Sequence, residues 1–76
     1  MNRDKDIIRE DIMKILKSTF GPLETKELGE KLKGVTRVKL FYRLNNLRGD
    51  GLIKGKQVGS GNGTWIWWFD RRESNG

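Results

Sequence analysis

Three tryptophans fall within the run Asn62-Gly63-Thr64-Trp65-Ile66-Trp67-Trp68-Phe69, and nothing else in the chain restricts its fold so strongly. The run is β-branched and aromatic, and it follows a glycine-rich block at residues 59–63, so it reads as a strand behind a turn. Side chains of a strand alternate between two faces, so these rings cannot all enter one core. Part of the set must face something else. Leu52 to Val58 reads as the preceding strand, and Asn62-Gly63 between two β-prone runs is a strong hairpin signal.

The segment before the hairpin has helical periodicity. From Asp6 to Phe20, Ile8, Ile12, Ile15 and Leu16 recur at helical spacing with Phe20 one turn further on, and Gly21-Pro22 is expected to stop the helix. Asp4, Asp6, Glu10 and Asp11 complement the helix dipole near its start; as a catalytic cluster they lack a base, a nucleophile or a metal partner. Leu23-Glu24 is a short extended link. Thr25 can cap a second helix carrying Leu28 and Leu32, in which Gly29 would allow another helix to come close. Thr36 is placed to cap a third helix from Arg37 to about Arg48, with Leu40, Leu44 and Leu47 as its buried stripe, ended by Gly49-Asp50-Gly51.

A chain of 76 residues supports one domain, expected to span residues 1–76 with an ordered core from about 6 to 69 and a flexible tail at 70–76. It has no cysteine and no histidine, which excludes disulfides and the usual zinc sites; no metal and no cofactor is expected. No run approaches the roughly 20 apolar residues of a membrane span, and the N-terminus has no signal-peptide pattern, so a cytoplasmic protein is expected. The net charge of +6 is unevenly spread. Residues 1–34 carry eight Lys/Arg against seven Asp/Glu, and residues 35–76 carry eight against three. A basic half beside a neutral half suits a polyanionic partner, the plain alternative being a solubilising surface.

The stretch from Glu27 to Gly55, ELGEKLKGVTRVKLFYRLNNLRGDGLIKG, resembles the core of winged helix-turn-helix DNA-binding domains. The matching parts are Leu28 and Leu32, then Val35-Thr36, then Leu44 and Leu47, then Gly51-Leu52-Ile53, with the glycine-rich hairpin standing where a wing would. The turn departs by one residue, Lys33-Gly34 replacing a lone glycine. The resemblance implies an α+β, mainly α fold: a three-helix helix-turn-helix core followed by a β-hairpin wing. It also implies duplex DNA as partner, with the third helix in the major groove.

At about 100° per residue, the face opposite Leu40 holds Val38, Tyr42 and Asn45, flanked by Phe41 on one side and by Lys39 and Asn46 on the other. Asn45 or Asn46 could read adenine, and Val38 or Phe41 could touch a thymine methyl. Arg37, Lys39 and Arg43 lie toward the edges, where phosphates pass. Val38, Phe41 and Tyr42 could instead form an apolar stripe against a protein partner, or Phe41 could tuck beneath the wing. With Asn62-Gly63 as a two-residue turn, Val58 faces Trp67 and Gln57 faces Trp68. Ile53 belongs to the motif that packs on the helices, so Ile66 and Trp68 join the core. Trp65, Trp67 and Phe69 then share an outer, DNA-facing surface with Lys54 and Lys56. A five-residue loop is the alternative, and a one-residue slip exchanges the two faces.

Function on this basis is duplex-DNA binding by a small transcriptional regulator that performs no catalysis. A homodimer would use helix one, the outer wing or the apolar face of helix three. The competing functions are a protein-interaction winged helix, which has no need of the basic C-terminal half, and a single-strand binder stacking bases on Trp65 and Trp67. A Z-form DNA reader is a further winged-helix option, but the family pattern has a proline-rich wing and this wing has none.

Overall fold

The computed structural model describes residues 3–61 and 63–70, beginning with helix α1 (Arg3–Lys17), which buries Ile8, Ile12 and Leu16. Their four-residue spacing stacks them along one side of the helix. The helix ends earlier than expected. The hydroxyls of Ser18 and Thr19 both donate to the Ile15 carbonyl, at 3.1 and 2.7 Å, and close the last turn before Gly21-Pro22 is reached. Phe20 therefore leaves the apolar stripe and is 95% exposed.

Leu23–Glu24 is a strand, β1, where the sequence suggested only a link. Helix α2 (Thr25–Lys31) follows at once, and its cap is Glu24 rather than Thr25. The Glu24 backbone N–H donates to the Glu27 carboxylate at 2.7 Å, one half of a capping box. Leu28 and Leu32 are buried as expected. A Cβ placed on Gly29 would meet Leu40 Cδ2 at 3.6 Å, an ordinary contact, so close helix approach does not require this glycine.

Helix α3 (Arg37–Gly49) begins where the sequence places it, the Thr36 hydroxyl accepting from the Lys39 N–H at 3.1 Å. Leu40, Leu44 and Leu47 are all buried. The end of the helix explains the Gly-Leu-Ile signature that follows it. Leu52 N–H donates to the Leu47 carbonyl and Gly51 N–H to that of Arg48, both at 3.0 Å, with Gly51 at a φ of 79°. This is the paired closure that needs a left-handed residue, hence glycine. Ile53 then enters the core, 1% exposed.

Strands β2 (Ile53–Val58) and β3 (Thr64–Phe69) form the hairpin, and β1 pairs with the far edge of β3, giving an antiparallel sheet in the order β1-β3-β2. The observed register corrects the expected one. Val58 lies opposite Thr64, not Trp67, so the five-residue loop at 59–63 forms in place of the Asn62-Gly63 turn. Residue 62, half of that expected turn, lies outside the described residues, as do 71–76 of the expected tail. The shift is three residues along β3. Being odd, it exchanges the faces. Trp67, expected outside, is 0% exposed between Leu23 and Gly55, whereas Ile66 and Trp68, expected in the core, lie half-buried on the outer face.

Two contacts hold this arrangement. A Cβ on Gly55 would lie 2.5 Å from two atoms of the Trp67 ring, so only glycine lets the indole lie across β2. On the other side Trp67 Nε1 donates to the Thr25 hydroxyl at 2.8 Å, which satisfies the one polar group the indole carries into the core. Three helices with a terminal hairpin are the architecture the resemblance implied, extended by one short strand.

Candidate nucleic-acid interface

On α3 the residues named from sequence separate into two groups. Val38 and Tyr42 project outward, 80% and 60% exposed, with Arg37 and Lys39 exposed beside them. Phe41 does not join that face. Its ring meets Trp65 and Trp67 edge-on, with centroids 6.1 and 5.7 Å apart, and packs against the core. Trp65 in turn stacks on Trp67 at 5.2 Å with 20° between planes, and the Arg48 guanidinium sits 5.3 Å from the Trp65 ring centroid. Phe41, Trp65 and Trp67 thus form the joint between α3 and the wing. Trp67, being buried, has no surface to offer a ligand.

The polar candidates also divide. Asn45 Nδ2 donates to the Phe41 carbonyl at 3.1 Å, and its Oδ1 accepts from Arg48 Nη2 at 3.4 Å, so the amide is turned back on its own helix. Asn46 is half-buried on the opposite flank. Arg43 is half-buried too, its guanidinium 5.1 Å from the Tyr42 ring centroid; among the described residues its buried Nε and Nη1 have no hydrogen-bond partner. It supports the Tyr42 ring more than it extends the cationic edge.

Lys54 and Lys56 lie on the outer face of the sheet, directly across from Trp68 and Ile66, and not beside Trp65 and Trp67 as expected. Lys54 Nζ is 3.8 Å from Asp70 Oδ2.

Sequence reasoning missed a groove of about 450 Å³ between the starts of α2 and α3 and the loop end of the wing. Arg37, Val38 and Trp65 line it, joined by Lys26, Glu24 and Thr64. The signal available was Lys26 itself, a cation in the first turn of a helix, where the dipole opposes one. The groove continues the exposed α3 face onto the wing. Its two cations, Lys26 and Arg37, are exposed and stand on separate helices. Among the described residues no group of three or more His, Cys, Asp or Glu could hold a metal ion, and no helix is long and apolar enough to cross a membrane.

No protein-family model and no curated protein matches the chain. Two solved chains are similar to it. One is a structure of HOP2, from work on its DNA recognition and protein interaction domains and its homologous DNA pairing. It superposes with a TM-score of 0.72 at 21% identity, covering 83% of this chain and 98% of that one. The likeness is one of fold: three helices with a three-stranded antiparallel sheet, a mainly helical winged helix.

Proposed function

We propose that this protein binds duplex DNA, with the first half of α3 in the major groove and the loop end of the wing against the sugar-phosphate backbone. The observation that carries this is the outward α3 face. Val38 and Tyr42 are open to solvent, Arg37 and Lys39 flank them, and the groove holding Lys26 runs from there to the wing. A helix of this kind fits the major groove, where Val38 can touch a thymine methyl and the flanking cations meet phosphates. Asn46 is better placed than Asn45 to read adenine, because the Asn45 amide is spent on Phe41 and Arg48. The HOP2 structure of similar fold comes from a study of DNA recognition, which supports the same partner. The biological role is transcriptional regulation in the cytoplasm, by occupying a site and without catalysis.

Titration of duplex DNA across a salt series tests the proposal. Neutralising about three phosphates, with Lys26, Arg37 and Lys39, gives a slope of log K against log salt of roughly −2.5 to −3. Arg37→Ala should flatten that slope by about one and weaken all sequences alike, whereas Asn46→Ala should relax preference at particular bases. Affinity that ignores salt would remove DNA as the partner and leave the Val38–Tyr42 face to a protein.

A further inference from the structure

Apart from Glu24 and Thr64, which also border the groove, the outer face of the sheet takes no part in that interface. The strand register sets Glu24, Ile66 and Lys56 in one row across it, one residue from each strand. Trp68 follows along β3 on the same face, with Lys54 opposite and Asp70 against Lys54. Next to the Trp68 ring is a depression of about 410 Å³, lined in part by Ile66, Phe20 and Pro22. The face is therefore apolar at its centre and carries as many carboxylates as lysines. A polyanion gains little from such a surface, since its affinity depends on unbalanced cations. Base stacking on Trp68 has no charge to support it.

We infer that this face is a contact between two copies of the chain, related by a twofold axis parallel to β3. The axis follows from the order of the row, which is negative, apolar, positive. A rotation about the strand direction exchanges the two edges of the sheet and leaves each row at its own level. Glu24 of each copy then meets Lys56 of the other, Ile66 meets Ile66, and Trp68 meets Trp68. An in-plane axis across the strands would instead set like charges on each other. Two sheets packed face to face stand about 10 Å apart, a gap that lysine and glutamate span from opposite sides. The contact is isologous and closes at two copies. β1 is essential to it, because that strand brings the exposed Glu24, which also caps α2, to the edge opposite Lys56.

The face is small. Two strands of six residues and one of two, about 4.8 Å apart, give an area of roughly 20 by 10 Å with a short strip beside it, which belongs with weak, transient contacts. Sedimentation of the full chain without DNA, from about 10 μM to 1 mM, should show a monomer–dimer equilibrium that depends on concentration. Lys56→Glu and Glu24→Lys should each weaken self-association about tenfold or more, since each sets like charges together twice. An equal mixture of the two variants should restore dimer, because the mixed pair regains both contacts. Trp68→Ala should give a monomer that still unfolds cooperatively, and thermal melts check that all three variants fold, with Trp68→Ala and the cap-removing Glu24→Lys melting somewhat below wild type. A wild-type chain that stays monomeric throughout overturns the inference. So does a mixture that stays monomeric, or a dimer indifferent to both charge changes. With no DNA in the cell, none of these outcomes depends on the DNA proposal.

Discussion

Trp67 and Trp68 are adjacent, chemically identical, and sit in environments that share nothing. Trp67 is enclosed by Leu23, Gly55, Phe41 and Trp65, with its N–H bonded to Thr25 from a segment 42 residues away. Trp68 lies on the other face of the same strand, among Lys54, Ile66 and the depression beside Pro22. One links β1, β2, the start of α2 and the Phe41 flank of α3. The other touches mainly its own sheet. An aromatic side chain in a small domain is thus assigned its role by strand parity, and parity here is set by the number of residues in a glycine loop.

That contrast can be broken most directly by truncating each ring. Trp67→Ala should destabilise the protein by about 3–5 kcal/mol, a large share of the 5–15 typical of whole domains. Trp68→Ala, at a half-buried ring, should cost clearly less, about 1–2 kcal/mol. Equal losses from the two variants in urea titrations would show that the faces are not as distinct as their burial indicates.

A smaller effect is expected from the glycine that makes room for Trp67. Gly55→Ala places a methyl group 2.5 Å from the indole, and overpacking of this kind costs about 1–3 kcal/mol. The near-ultraviolet circular dichroism of the tryptophans should change with it, because Trp67 must tilt and Trp65 is stacked upon it. Wild-type stability and an unaltered aromatic spectrum in the Gly55→Ala variant would mean that the ring does not lie across β2.

The smallest change sharpens the comparison at a single hydrogen bond. Thr25→Val keeps the shape of the side chain and removes the acceptor for Trp67 Nε1, which should cost about 1–2 kcal/mol. The same substitution combined with Trp67→Phe should cost little beyond Trp67→Phe alone, since the N–H has then gone as well. Strict additivity in that double-mutant cycle would mean that the two groups do not interact.

The helical part of the molecule was legible in one dimension because its determinants are local. Thr36 caps α3 three residues before Lys39, Leu40, Leu44 and Leu47 repeat at helical spacing, and Gly51-Leu52 closes the helix onto Arg48 and Leu47. The candidate interface was legible only where it shares that locality. Arg37, Val38, Lys39 and Tyr42 are where the helical wheel puts them, but Phe41 and Asn45 were diverted by groups on the wing joint and on their own helix. Lys26 entered the groove only because α2 starts beside α3, and Lys54 and Lys56 changed neighbours when the register shifted.

The sequence by itself determined the order of the three helices and the hairpin, the buried stripe of α3 and the fact that the aromatic strand must have two used faces. Each of these follows from side-chain periodicity and capping chemistry within a few residues. Only the tertiary structure decided which face is which. Asn62-Gly63 and a five-residue glycine loop are both acceptable hairpin closures, so local chemistry leaves the register open by an odd number of residues. What fixes it lies far along the chain: Leu23 pairs with Trp67 from across β1, Thr25 takes the indole N–H, and Gly55 leaves the space the ring fills. Burying one large aromatic among three such partners outweighs the preference of a two-residue turn, and these partners come together only once the helices have packed.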